Sequence, residues 1–311
     1  MIARPLIPLS QDKKEDTTAL PISRELLKKV RLLELRTRLQ VRDVFSGRYH
    51  SVFKGQGMDF AEVREYTPGD DIRQIDWNVS ARMGHPFVKL FREERELTIM
   101  LLVDVSASTE FGTQTVLKRE VAAELTALLA LCAQTNNDKV GLLLFTDKIE
   151  HFVAPKKGRR HALRLIRDVL AFKPESKGTA VGKAVEYALH ALRKRSVFFL
   201  ISDFEGNDYH KAVRVAARKH DLIAVELYDP RERSLPDAGL APLSDPETGE
   251  IFWADTSSAL FRQAYERSAA RDADARSSFF KGISVDRIEL PVDKPYLMEL
   301  IKFFRVRERR R

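Results

Sequence analysis

From residue 98 onward, short apolar runs alternate with longer segments of helical periodicity, and this alternation limits the fold more than any other feature. The runs at 99–103, 140–145, 197–201, 222–228 and 285–290 have strand length and little polar alternation, as strands covered on both faces do. A shorter alternating segment at 149–153 reads as an edge strand. The intervening segments at 113–135, 158–172, 181–192, 210–219, 255–276 and 295–304 carry apolar residues at helical spacing. The expected fold class is α/β, a doubly wound, mostly parallel sheet of the Rossmann type with helices on both faces. Such sheets bind ligands at the carboxyl ends of their strands, near the point where strand order reverses.

Oxygen-bearing side chains cluster at those ends. The run TIMLLVDVSAST places Asp104, Ser106 and Ser108 at alternate positions directly after the first apolar strand. The run VFFLI leads into Ser202 and Asp203, and Thr179 stands in a loop just before a helix. If the two strands are neighbours, their loops meet and Thr179 enters from a third. Small hard oxygen ligands suit a hard divalent cation, Mg²⁺ first, with Mn²⁺ or Ca²⁺ as variants. The segment KGTAVGK superficially resembles a phosphate loop. However, Gly178 and Gly182 are separated by three intervening residues rather than four, and Ala184 replaces the Ser or Thr after the lysine.

A chain of 311 residues is long enough for a substantial core. The single cysteine, Cys132, excludes an intramolecular disulfide framework and lies on an apolar helical face with Val121, Leu125 and Leu128. No run is long enough to cross a bilayer, and the first residues lack the layout of a signal peptide, so a cytoplasmic location is expected. The net charge of +8 permits acidic partners, anionic lipid and nucleic acid, and requires none of them.

Residues 1–22 read as a flexible arm. Residues 23–97 read as a basic amphipathic helix (Leu26, Val30, Leu33 and Leu39 on one face) followed by a small β module, and 98–311 as the α/β domain, with a hairpin insertion at about 230–254. In the module, carboxylates and arginines of mixed sign imply a polar network fixing an irregular connection. Arg73, Asp76 and Trp77 are candidates for partner binding or for packing the module, with Trp77 as its apolar anchor. The terminal RVRERRR reads as a solvated basic tail.

Asp104, Ser106, Ser108, Thr179 and Asp203 match in type and order the metal-ion-dependent adhesion site of von Willebrand factor type A domains, which this part of the chain resembles. The segment GQGMDFAEVREYTPGDDIRQIDWNVSAR, residues 55–82, resembles the signature of a bacterial family, domain of unknown function number 58. Members of that family place this module just ahead of a von Willebrand type A-like domain. The resemblance implies a Mg²⁺ site that binds an acidic residue of a protein partner. It also implies work alongside a MoxR-type AAA+ ATPase and its client in protein maturation or complex assembly.

The chain is expected not to be an enzyme: its seven histidines are scattered without ligand or triad spacing. Two other readings compete. One is a metal-assisted hydrolase using the same carboxylates. The other is a nucleic-acid or membrane-surface binder using Arg193, Lys194, Arg195 and the basic tail, against which stands the lack of interleaved aromatics.

Overall fold

The computed structural model describes residues 58–310 apart from 94–95, 111–116, 207 and 245–249, together with Arg31, Leu32 and Leu35. The N-terminal arm, the inward face of the N-terminal helix and the start of the helix expected from residue 113 lie outside the described residues. Arg31, Leu32 and Leu35 are helical and exposed.

The first described element is an antiparallel pair, β1 (Met58–Glu65) and β2 (Phe87–Glu93). Between them lie a 3-10 turn at Ile72–Gln74 and the short helix α1 (Trp77–Met83). The connection is held by polar contacts. Arg64 grips Asp70 with both guanidinium nitrogens at 2.8 and 2.6 Å, and this pairing drives the Asp70 carboxyl well below its ordinary range. Asp71 caps the 3-10 turn, and Asp76 caps α1 by accepting from the Asn78 and Val79 amides. The expected network is present, but Trp77 does not anchor it: its side chain is 69% exposed at the first position of α1.

The main sheet has strand order β10-β7-β6-β3-β4-β5. Its strands are β3 (Thr98–Asp104), β4 (Lys139–Phe145), β5 (Ile149–Lys156), β6 (Val197–Ser202), β7 (Asp221–Tyr228) and β10 (Asp286–Pro291). All neighbours are parallel except β5, which runs antiparallel to β4 at one edge. The chain starts at β3, adds β4 and β5 on one side, then crosses back to β6 on the other. The order therefore reverses at β3, and the expected doubly wound, mostly parallel sheet is what the chain builds.

The alternation of side chains along β3 separates two cores. Ile99, Leu101 and Val103 pack with α2 (Lys118–Thr135), α3 (Arg159–Ala171) and α7 (Tyr296–Arg310). Met100 and Leu102 pack on the opposite face with α4 (Val181–Ala191), α5 (His210–Lys219) and Phe280 near the end of α6 (Ala259–Gly282). Helix α2 is buried from Val121 to Ala133 apart from Glu124, with Cys132 inside, as expected of a small hydrophobe.

Two C-terminal boundaries differ from expectation. Helix α6 runs on past residue 276, because Arg276 turns inward to Glu226 and Phe280 enters the core. Residues 305–310 are the last turns of α7; all but Arg307 are exposed, as a solvated end would be, whereas Arg307 is buried and pairs with Asp221 and with Asp286. Between β7 and α6 lies an antiparallel hairpin of β8 (Leu240–Ser244) and β9 (Ile251–Asp255), whose root is a capped 3-10 turn at Pro230–Glu232.

Candidate metal centre

The carboxyl ends of β3 and β6 are adjacent, with Val103 opposite Ile201. This pairing brings together the loops that begin at Asp104 and Asp203. Asp104 is the last residue of β3 and is 1% exposed. Its Oδ1 accepts the Ser106 amide at 2.9 Å and its Oδ2 accepts the Ser202 hydroxyl at 2.7 Å. The Ser106 and Ser108 hydroxyls lie 3.0 Å apart, and both residues are buried. Thr109 closes the turn by donating its hydroxyl to the Ser106 carbonyl.

The third loop is pinned against the first two. The Ala107 amide donates to the Lys177 carbonyl, and the Ala180 amide donates to the Thr146 carbonyl at the end of β4. From the other side, Glu150 accepts the amides of Glu175 and Ser176. Thr179 is carried between these anchors, and its Oγ1 is buried with no hydrogen-bond partner. Gly182, part of the false phosphate loop, has a packing role. A Cβ there would lie 2.8 Å from the Asp208 carbonyl oxygen, and its amide donates to the Asp208 carboxylate.

Asp203 follows β6 and is 5% exposed. The next residue, Phe204, has φ of 56°, a left-handed conformation rare for a bulky side chain. Burial against Tyr209 and Phe280, and an amide bond to the Ser202 hydroxyl, hold it there. The backbone thus turns sharply straight after Asp203.

Two buried carboxylates in neighbouring loops repel one another. Burial, and then the charge of Asp203, push the Asp104 carboxyl up to about 7, against the hydrogen bonds from Ser106 and Ser202. Lys118, at the start of α2, is 1% exposed and places its ammonium 3.0 Å from Asp203 Oδ2 and 2.6 Å from Glu232 Oε1. Burial works against that charge, but Asp203 and Glu232 outweigh it and raise the lysine above its ordinary value.

The donor chemistry here is of the kind a small hard cation takes: two carboxylates, neutral hydroxyls, and one buried hydroxyl left without a partner. Among the described residues, no group of three or more His, Cys, Asp or Glu side chains is placed to hold a metal. Any ion held here is therefore shared between acids and alcohols. Arg73, Asp76 and Trp77 belong to the β1–β2 module, where Asp76 is the α1 cap and also meets Lys89 at 3.4 Å. A cavity of about 260 Å³ opens beside Asp203, walled by Glu205, Glu232, Tyr265 and Arg276.

The sequence reading named Ser202 without giving it a role, and missed Lys118, Glu232 and Phe204. Lys118 carried a signal, standing three and seven residues before Val121 and Leu125 on the apolar stripe of α2. Glu226 carried another, as a lone acid inside an apolar strand. It is fully buried and is gripped by Arg233, Arg276 and Arg287.

The family described as "Protein of unknown function DUF58" matches residues 62–275. Among related proteins, the uncharacterized protein Rv1480 of Mycobacterium tuberculosis (strain ATCC 25618 / H37Rv) is 31% identical over 285 residues, 90% of this chain and 89% of that protein. The uncharacterized protein MAV169 of Mycobacterium avium is 25% identical over 159 residues, 50% of this chain and 94% of that protein. Among solved structures, the conserved hypothetical protein BatB from Bacteroides thetaiotaomicron aligns over 68% of this chain and 99% of its own, with TM-score 0.44 and 15% identity. The SpRpn10 VWA domain aligns over 66% of this chain and 94% of its own, with TM-score 0.39 and 15% identity.

Proposed function

The chain belongs to the DUF58 family, and on that footing we propose that it is a metal-dependent protein-interaction adaptor. One observation supports this most: Asp104 and Asp203, both buried, stand at adjacent strand ends, the Ser106 and Ser202 contacts converge on Asp104, and the Ala107 amide is bonded to Lys177 in the loop that carries the unpartnered Thr179 hydroxyl. Asp104, Ser106, Ser108, Thr179 and Asp203 would hold Mg²⁺, directly or through water. The ion would supply a Lewis-acidic position for an acidic side chain from outside. With few carboxylates around it, it would stay short of negative charge and attract that group. Binding of the partner then depends on metal.

The partner in this reading is a MoxR-type AAA+ ATPase or its client, in protein maturation or complex assembly. That identification rests on the sequence resemblance of residues 55–82. The proposed role is not enzymatic, and the proposed location is cytoplasmic. No helix among the described residues is long and apolar enough to cross a membrane.

Affinity capture from a cell extract with the full chain as bait tests the reading. Proteins retained with Mg²⁺ should elute with EDTA, and Asp104→Ala or Ser106→Ala should lose them while circular dichroism stays unchanged. Capture indifferent to EDTA and to both substitutions would refute it. Turnover in a phosphatase and phosphodiesterase screen with Mg²⁺ and Mn²⁺, lost on Asp203→Ala, would instead establish the hydrolase.

A further inference from the structure

The Lys118 ammonium sits directly on Asp203, one of the candidate ion-binding acids. We propose that it is the resident counter-ion of the metal centre, competing with a divalent ion for Asp203 and keeping the centre folded without one. The inference rests on the metal-binding reading above and adds a residue that sets its affinity.

An ionised carboxylate sealed from water is costly unless a cation meets it. Asp203 is nearly sealed, and Asp104 beside it is sealed as well. The Lys118 ammonium meets Asp203 Oδ2 at 3.0 Å, on a carboxylate a bound divalent ion would also use. It is not a surface lysine bent inward: its side chain is 1% exposed, and it is the first residue of α2. It also contacts Glu232 at 2.6 Å. Glu232 in turn accepts the Asp229 amide, and its carbonyl accepts the Tyr265 hydroxyl, so the lysine ties the centre to the start of the β8–β9 insertion.

A divalent ion at Asp203 and an ammonium on the same carboxylate repel each other. Removing the ammonium should therefore tighten Mg²⁺ binding, by about tenfold or more at the effective dielectric of such sites. The change must come from position, not from overall charge. In Lys118→Met with Glu232→Gln, the net charge is conserved, but the cation touching Asp203 is gone while the acid removed stands one contact further away. Lys139→Met removes the same charge at the opposite end of the sheet, where Lys139 pairs with Glu96.

Isothermal titration of Mg²⁺ into the full chain decides this. The account expects saturable binding in the wild type, at least tenfold tighter binding in Lys118→Met and in the charge-conserving double variant, and unchanged affinity in Lys118→Arg and Lys139→Met. Where Lys118→Met is unfolded, Mg²⁺ should refold it, as followed by circular dichroism; a variant that stays unfolded in millimolar Mg²⁺ overturns the inference. Wild-type binding with equal or weaker affinity in Lys118→Met also overturns it and leaves the metal reading standing. No binding in any variant removes both.

Discussion

Gly141 shows how tightly single positions are specified. It lies on β4, where a Cβ would come within 2.9 Å of Met100 Sδ, Pro155 Cγ and the Val153 carbonyl oxygen. Gly141→Ala should cost about 2 kcal/mol through overpacking, read as a lower urea midpoint at unchanged slope. His220 is a second such position. It is buried, stacks on Phe198 at 4.1 Å, and accepts the Ser196 amide at Nδ1. Burial first, then the charges of Lys219 and Arg195, push it down to about 4. Between about pH 4 and 6.5 the unfolded chain therefore binds a proton that the folded one refuses, so stability rises with pH across that window. The urea midpoint should fall from pH 7 to about pH 5, and His220→Gln should fall less; equal falls would contradict the assignment. Neither position was legible in advance, because a glycine and a histidine in isolation do not declare what packs against them. Lys118 was missed for a different reason: a lysine at a helix start reads as solvated until the acids facing it are known.

At the level of elements, the apolar strands were legible because β3, β4 and β6 are covered on both faces and so lack polar alternation. Helix ends were less so. The arginine-rich end of α7 looked solvated because charge alone was weighed, whereas Arg307 stands three residues after Phe304 on the inward face. Arg307→Ala leaves Asp221 and Asp286 without their buried partner and should destabilise the fold by about 3 kcal/mol or more. Removing residues 305–311 should cost at least as much; thermal midpoints equal to wild type would show that these turns contribute nothing. Trp77 was misplaced because an aromatic residue in a polar connection invites the role of an anchor. The module instead closes through Arg64, Asp70 and Asp76, which leaves the ring exposed at the start of α1.

Across the whole molecule, a single topological event places the centre. The chain crosses from β5 back to β6 beside β3, and only then do Asp104 and Asp203 become neighbours. That adjacency could be stated from sequence as a condition, since the order of strands follows from no local signal. The contacts of the supporting Ser202 and Glu150 were out of reach for the same reason, because they join segments far apart in the chain. The central claim is that these loops share one ion. Crystals of the full chain grown with Mn²⁺ in place of Mg²⁺, measured by anomalous scattering, test it most directly. The account predicts one peak among Asp104, Ser106, Ser108, Thr179 and Asp203, absent in Asp104→Asn. Anomalous peaks only elsewhere, or a peak unmoved by that substitution, would contradict it.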